Sequence, residues 1–381
     1  MNHSADERYR QHLDLAAIGP AGQARLLSSR ALVVGAGGLG CAALPYLVGA
    51  GIGAVVVCDG DHVERSNLPR QVLYGDDDVG RPKAATAVAR LAPLNRSCAL
   101  EAVGEMLSAA NADRLVAAAD VVLDATDNFA ARYRLHDACF RARRALVTAA
   151  VHHDEGQLAV FRFDLGTRGP CWRCLWPAPP QDEDCVGDCR RHGILATVPG
   201  VLGVLQADQA LRVLLEASPL DSGQLVHLDL TALSTWRTTW TAAPGCPLCG
   251  NGVVESADAA RTVTAPVPRA APAMPTTQPT PADLPEEIER EHIAAPADWI
   301  WVDARTEAEQ AAYPASAFLD GIATVSWRQF GPSGPPPALD CVVICGHGIS
   351  SLALARHWRD RGCRRVCSLR GGLAAQRRSR T

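Results

Sequence analysis

The chain has 381 residues, which at roughly 150 residues per domain suggests two domains and permits a sizeable core. Hydrophobic residues make up 48% of it and charged residues 20%, which excludes a disordered, collagenous or coiled-coil protein. The net charge of −4, from 37 basic and 41 acidic residues, gives no bulk attraction to nucleic acid or to anionic membranes, so we expect neither as a partner.

The N-terminal sequence and the cysteines favour a cytoplasmic protein. The first fifteen residues lack the apolar core of a secretion signal, and a chain of this length does not need its 14 cysteines as disulfide staples. Residues 31–58 carry no charge, but seven glycines and Pro45 interrupt them. This stretch therefore fits a buried strand, turn, helix and strand better than a membrane span.

Strand and helix patterns alternate along the first 240 residues. We predict strands at 31–34, 54–58, 120–124, 145–148, 158–163, 225–230 and 234–240, and helices at 41–50, 82–91, 130–141 and 201–215. The alternation predicts an α/β fold, a Rossmann-like doubly wound sheet that is mostly parallel and has helices on both faces.

A change of composition marks a second domain. Residues 253–285 are rich in Pro, Ala and Thr and predict an extended, semi-rigid linker between a domain at 1–252 and one at 286–381. In the latter, strand patterns at 299–302, 341–344 and 365–368 and a helix at 350–361 predict a second, smaller α/β unit.

A glycine loop follows the first predicted strand. Gly35, Gly37, Gly38 and Gly40 satisfy G-x-G-x-x-G between a strand and a helix, where a helix N-terminus can face a phosphate. Asp59 closes the next strand, where a carboxylate can accept hydrogen bonds from ribose hydroxyls. On these residues alone, a nicotinamide-dependent oxidoreductase is the default interpretation.

The residues that follow favour a different chemistry. Arg70 and Lys83 can stabilise charge on phosphates, Asn67 can hold an oxygen, and Asp127 ends a strand where a carboxylate can bind Mg²⁺. Hydride transfer needs no such cluster, whereas attack on the α-phosphate of ATP does.

These motifs, with Asp124-Ala125-Thr126-Asp127-Asn128 and Cys-Trp-Arg-Cys-Leu-Trp-Pro downstream, resemble the MoeB/ThiF (HesA) adenylyltransferases of ubiquitin-like sulfur carriers, which are related to ubiquitin-activating enzymes. The resemblance spans about residues 8–250. It implies that a carrier's C-terminal Gly-Gly carboxylate attacks MgATP to give an acyl-adenylate. It also implies a homodimer in which Arg10 enters the partner's nucleotide site, although the chain is one residue shorter here than the family's RYxRQ. The implied roles are ribose binding for Asp59, phosphate binding for Asn67, Arg70 and Lys83, and metal binding for Asp127.

Two Cys-x-x-Cys pairs can supply four thiolates to one structural Zn²⁺. The pairs are Cys171 with Cys174 and Cys246 with Cys249, and prolines flank both as in zinc-knuckle turns. Redox-active pairs are the alternative, and the resemblance independently implies zinc.

Cys189 lies in a polar stretch with two arginines and a histidine, which favour its thiolate. The resemblance places it on a crossover loop where a cysteine can join the carrier covalently. Cys185 lies nearby and is the competing candidate.

Cys345 follows a predicted strand and opens a helix, a position where backbone N–H groups stabilise a thiolate or a persulfide. The segment resembles a rhodanese sulfurtransferase loop, and residues 286–375 resemble that family more widely. Two features depart from it: Tyr313 to Phe318 replace the usual Gly-His-Ile segment, and Ser350 stands where many members have Arg. The remaining cysteines are predicted to be small core residues.

Together these features predict an ATP-dependent adenylyltransferase whose rhodanese-like domain delivers sulfur, obtained from a donor such as a cysteine desulfurase. The thiocarboxylate product would serve molybdopterin or thiamin thiazole biosynthesis. Three alternatives stay open: a nicotinamide-dependent oxidoreductase with structural zinc, a non-catalytic sulfur-relay scaffold, and adenylation of a peptide or tRNA-linked substrate.

Overall fold

The computed structural model describes residues 7–152, 154–165, 169–179, 193–231 and 233–250, and beyond them 287–288, 290–293, 299–305, 310, 315, 319, 322–330, 340–345, 349–360, 362–363, 365–370 and 373. The chain divides into two compact units, Met1–Cys246 and Pro247–Thr381. The predicted linker at 253–285 lies outside the described residues, as do Cys185 and Cys189.

The first unit contains a sheet of eight described strands in the order β3-β2-β1-β4-β5-β6-β7-β8. The first five pair in parallel and the last three are antiparallel additions. The strands are β1 (Arg30–Val34), β2 (Ala54–Cys58), β3 (Ala99–Val103), β4 (Val121–Asp124), β5 (Ala145–His152), β6 (Glu155–Phe161), β7 (Gln224–Asp229) and β8 (Ser234–Thr239).

Among the described residues, four helices of this unit follow the predicted pattern, and four more were not suggested by the sequence. They are α1 (Arg10–Leu13), α2 (Gly19–Ser28), α3 (Gly38–Gly49), α4 (Lys83–Leu91), α5 (Ala112–Ala117), α6 (Phe129–Ala142), α7 (Trp172–Leu175) and α8 (Thr197–Leu214). Helix α3 is apolar on almost every side and packs against α8. Gly203 permits this contact, because a Cβ there would lie 2.2 Å from the Leu39 carbonyl oxygen.

The second unit contains a parallel sheet of five described strands in the order β11-β10-β12-β13-β9. The strands are β9 (Glu287–Ile288), β10 (Ile300–Asp303), β11 (Thr324–Ser326), β12 (Cys341–Ile344) and β13 (Val366–Leu369), and helix α9 (Ile349–Asp360) follows β12. Trp301, Val342 and Leu369 are buried in its core. The small α/β unit predicted from the sequence is thus observed as a parallel sheet.

The α/β prediction is confirmed for the first unit, with element ends shifted by a few residues. Strand β3 was missed because it lies at the sheet edge and its side chains are mostly exposed, so it lacks an apolar pattern. Among the described residues, no helix is both long enough and apolar enough to span a membrane.

Candidate active site

The register of three parallel strands brings the predicted nucleotide-binding residues to one edge of the sheet. Val34 at the end of β1 pairs with Cys58 of β2 on one side and with Asp124 of β4 on the other. The chain leaves these strands in opposite directions, which creates the crevice where open α/β sheets bind ligands. The residues after the three strand ends therefore surround one site.

The glycine loop follows β1 and begins helix α3. Gly35 has a φ of 98°, and a Cβ there would lie 2.5 Å from the Ala125 carbonyl oxygen. A Cβ on Gly40 would lie 2.0 Å from the Gly35 carbonyl oxygen, so both positions require glycine. At Gly37 the nearest atom would be 3.7 Å away, which leaves room in front of the loop for a ligand.

Asp59 follows β2 and is hydrogen-bonded to the glycine loop. Its Oδ2 accepts from the Ala36 N–H at 2.7 Å, and its Oδ1 accepts from the Asp61 N–H at 2.8 Å. Each carboxylate oxygen can accept more than one hydrogen bond, so capacity for a ribose hydroxyl is left. The loop and this carboxylate thus form one rigid unit.

The phosphate-binding candidates follow Asp59 along the chain. Asn67 is buried at the end of a short 3₁₀ helix, Arg65–Asn67, and its Nδ2 donates to Ser66 Oγ at 3.2 Å. Arg70 is partly exposed and donates to the Ser66 carbonyl oxygen at 3.0 Å. Lys83 is the first residue of α4, is 6% exposed, and donates to Asp61 Oδ2 at 3.2 Å.

Asp127 lies exposed in the turn between β4 and α6. Asn128 caps α6 by accepting from the Ala131 N–H at 2.8 Å, and this fixes the backbone next to Asp127. A carboxylate beside an amide oxygen is a donor set that suits Mg²⁺.

A buried ion pair beneath this turn was not anticipated from the sequence. Asp124 is fully buried, and its Oδ2 lies 3.1 Å from Arg132 Nε and 2.8 Å from Thr148 Oγ1. Its Oδ1 accepts from the backbone N–H and the hydroxyl of Thr126, at 3.1 and 2.6 Å. Thr126, the residue immediately before Asp127, is therefore hydrogen-bonded to the last residue of β4.

The four predicted zinc ligands form one cluster. The Sγ atoms of Cys171, Cys174, Cys246 and Cys249 all lie within 4.8 Å of one another, and all four side chains are buried. Cys171 Sγ is 3.9 Å from Cys174 Sγ and 3.5 Å from Cys246 Sγ. Tetrahedral zinc with Zn–S bonds of about 2.3 Å requires Sγ separations of roughly 3.8 Å, so the cluster fits Zn²⁺.

Polar contacts attach the first cysteine pair to α6. Arg173, between the two cysteines, forms a bidentate ion pair with Asp137 at 2.7 to 3.2 Å, and the Trp172 N–H donates to His136 Nε2 at 2.9 Å. Burial lowers the pKa of His136, which keeps the ring neutral and able to accept this hydrogen bond.

Of the remaining predicted residues in the first unit, Arg10 lies on α1, and two cysteines lie outside the described residues. Arg10 is exposed on α1, next to Tyr9, whose buried hydroxyl accepts from Asn95 Nδ2 at 2.9 Å. Cys189 and Cys185 have no described position, so their predicted roles stay predictions.

Cys345 follows β12 directly, as predicted, and is buried. Its Sγ lies 3.3 Å from Ser351 Oγ and accepts from the Ser351 N–H at 3.4 Å. Ser351 Oγ is in turn 2.9 Å from Ser368 Oγ on β13, and both serines are fully buried. The Ser368 contact was not foreseen, because only the fold brings β13 to this cysteine.

Comparison with known proteins gives a family match. The sequence model of the ThiF family matches residues 9–248. The chain is 43% identical over 250 residues to the SAMP-activating enzyme E1 of Haloferax volcanii, covering 66% of this chain and 91% of that protein. It is 42% identical over 247 residues to a sulfur carrier protein adenylyltransferase of Thermus thermophilus, covering 64% and 91%.

A third relative, "Adenylyltransferase and sulfurtransferase MOCS3" of Drosophila persimilis, is 39% identical over 243 residues, and the match covers 64% of this chain and 53% of that protein. The match thus spans about half of that relative. Among solved structures, Escherichia coli MccB aligns with a TM-score of 0.57 at 22% identity, covering 67% of this chain and 76% of MccB. At that identity the likeness shows a shared fold.

Proposed function

The chain belongs to the ThiF family of adenylyltransferases, and we propose that it activates the C-terminal carboxylate of a ubiquitin-like sulfur carrier ending in Gly-Gly. The observation that supports this substrate chemistry is the arrangement at the sheet edge. Three strand ends are held in one register, and the open glycine loop, Asp59 and the turn with Asp127 come after them. Lys83 adds a buried cation further along the chain from Asp59. Hydride transfer would leave Lys83 and Asp127 without a role.

In the proposed reaction, a carboxylate oxygen of the carrier attacks the α-phosphorus of ATP. The bond from that phosphorus to the bridging oxygen breaks, and pyrophosphate leaves with the electron pair. Lys83, Arg70 and Asn67 would hold the phosphate oxygens, on which charge accumulates, and Asp59 would hold the ribose. Mg²⁺, bound by Asp127, would neutralise charge on the phosphates.

A second step would then replace an oxygen of the carrier with sulfur. A persulfide on Cys345 attacks the acyl carbon with its terminal sulfur, the carbon–oxygen bond to AMP breaks, and AMP leaves. A thiol reductant then cleaves the sulfur–sulfur bond and releases the carrier thiocarboxylate. The hydrogen bond from the Ser351 N–H reaches Cys345 Sγ and would stabilise the thiolate that takes up sulfur before this step.

The other parts of the proposal concern assembly. One Zn²⁺ would join the two cysteine pairs as a structural ion, Arg10 would reach the nucleotide site of a second copy in a homodimer, and Cys189 would form a covalent link to the carrier. The sulfur would come from a donor such as a cysteine desulfurase. Residues 253–285 would serve as a linker to the rhodanese-like domain at 286–381 and raise its effective concentration near the adenylate.

The adenylation proposal is tested by ATP–pyrophosphate exchange with purified carriers that end in Gly-Gly. We expect carrier-dependent exchange by the full chain, and a loss of about 10²–10³-fold in Lys83→Ala, because a cation near the developing charge is removed. Arg212→Ala is the matched control, since this arginine forms an exposed pair with Asp208 on α8. The absence of exchange with every carrier, at a normal fold, would contradict the proposal.

A further inference from the structure

Lys83 is held by a partner that the reaction scheme above does not use. Its Nζ lies 3.2 Å from Asp61 Oδ2, and while the lysine side chain is 8% exposed, that of Asp61 is 48% exposed. A buried ammonium without a counter-charge is costly, so this carboxylate helps the lysine to occupy its position. Asp61 itself lies at the border between the site and solvent.

The backbone fixes both members of this pair. The Lys83 N–H donates to the Asp61 carbonyl oxygen at 2.9 Å, and His62 and Pro82 form an isolated antiparallel bridge between the same two segments. The ion pair is therefore not formed by two long side chains that find each other in solvent. Its geometry follows from two backbone segments held in register, which reduces the conformational entropy lost in forming it.

The pair is also connected by hydrogen bonds to the glycine loop. Lys83 donates to Asp61, the Asp61 N–H donates to Asp59, and Asp59 accepts from the Ala36 N–H. The Tyr74 hydroxyl lies between the two ends of this series, 2.9 Å from the Ala36 carbonyl oxygen and 3.3 Å from that of Lys83, and its single proton can be donated to either. Burial raises the pKa of Tyr74, so this hydroxyl remains a neutral donor.

We propose that Asp61 is a positioning residue for the adenylation step, which holds the Lys83 ammonium at a fixed place relative to the glycine loop and Asp59. An ammonium has three donors, so the bond to Asp61 leaves two for the triphosphate of a nucleoside triphosphate. The inference rests on the proposed function, because it assigns Lys83 to phosphate. It adds that Asp61 fixes the position of the Lys83 ammonium, and that the reaction depends on this position as well as on the charge.

The test compares Asp61→Asn and Asp61→Glu with the wild-type full chain in ATP–pyrophosphate exchange. We expect kcat to fall by about ten- to a hundredfold in both variants, with a much smaller change in KM for ATP, because misplacement by about 1 Å costs on the order of 10²-fold in rate. Asp61→Glu keeps the charge but moves the carboxylate by one methylene. Asp164→Asn is the matched control, since Asp164 forms an ion pair with Arg162, at 2.8 Å, in a different part of the unit from the glycine loop. The kcat of this variant should stay at the wild-type value.

Three results would overturn the inference. Tighter ATP binding with an undiminished kcat in Asp61→Asn would show that this carboxylate only competes with phosphate for Lys83. Full activity in Asp61→Glu would show that charge suffices without position, and an equal loss in Asp164→Asn would show a general effect of stability. If the wild-type chain exchanges with no carrier, the adenylation proposal itself fails and this inference falls with it.

Discussion

At the scale of single residues, burial makes several of the cysteines poor nucleophiles. The twelve cysteines within the described residues are all buried, and burial raises the pKa of Cys41, Cys341 and Cys367 to about 12 each. Such thiols are poor nucleophiles at neutral pH, which agrees with their prediction as core residues. Cys345 is buried as well, but it lies directly after β12, where the Ser351 N–H donates to its sulfur and the Ser351 hydroxyl lies 3.3 Å from it.

This contrast predicts the effect of two alanine substitutions in the same part of the sheet. Cys345→Ala should abolish formation of the carrier thiocarboxylate, measured by mass spectrometry of the carrier, while ATP–pyrophosphate exchange stays at the wild-type rate. Cys341→Ala, which removes a thiol whose pKa is about 12 from the preceding strand, should retain both reactions. Unaltered sulfur loading in Cys345→Ala would move the role to Cys189 or to another protein.

At the scale of elements, the turn between β4 and α6 depends on an ion pair that is hidden from solvent. Asp124 at the end of β4 and Arg132 on α6 have side chains that are 0% and 10% exposed. Arg132 also donates to the Ala149 carbonyl oxygen on β5 at 3.0 Å. This pair joins two strands and a helix directly beneath Asp127. We therefore expect its loss to lower the stability of the fold first, and to affect adenylation only as a consequence.

Arg132→Met should therefore lower the free energy of unfolding by about 3–5 kcal/mol, because it leaves the Asp124 carboxylate buried without its counter-charge. Urea denaturation measures this change. Arg141→Met on the same helix is the control: Arg141 and its partner Asp113 are about half or more exposed, and the expected loss is at most about 1 kcal/mol. Equal losses in the two variants would show that burial of the pair contributes little.

At the scale of the whole molecule, the cysteine cluster connects distant parts of the sequence. Cys171 immediately precedes α7 and Cys174 lies within it, whereas Cys246 and Cys249 follow the last strand of the first sheet. Cys171 and Cys246 are separated by 75 positions. Trp240 also joins the two regions, since its Nε1 donates to the Cys171 carbonyl oxygen at 3.1 Å. A metal bound here would close a long loop of the chain and stabilise it against unfolding.

We expect about one zinc ion per chain in the purified protein, measured by elemental analysis, and a lower thermal midpoint after removal with a strong chelator. Cys174→Ser should lose the ion. Cys98→Ser is the control, because Cys98 is buried outside the cluster and should leave the zinc content unchanged. Full zinc content in Cys174→Ser would contradict the assignment.

Much of the site could be predicted because its chemistry depends on local sequence order. A strand or turn that can be recognised from a few neighbouring residues precedes the glycine loop, Asp59 and each cysteine pair. Asp61, Tyr74 and Arg132 could not be found in this way, since an isolated Asp, Tyr or Arg is usually a solvated or core residue. Their roles arise from contacts such as Tyr74 with Ala36 and Arg132 with Ala149, which the sequence pattern does not show.

Hydrophobic periodicity and short motifs are properties of neighbouring residues, so the α/β class, the family and the residue types that the proposed reaction requires could all be predicted from the sequence. Only the folded chain shows that the strands ending in Val34, Cys58 and Asp124 end at the same edge of the sheet. It also shows that the sulfur atoms of the two cysteine pairs lie close together. It also decided that Lys83 is joined through Asp61 to the glycine loop. The physical reason is that sheet register and burial are set by the packing of all elements together, so charges distant in sequence become neighbours only in the folded chain.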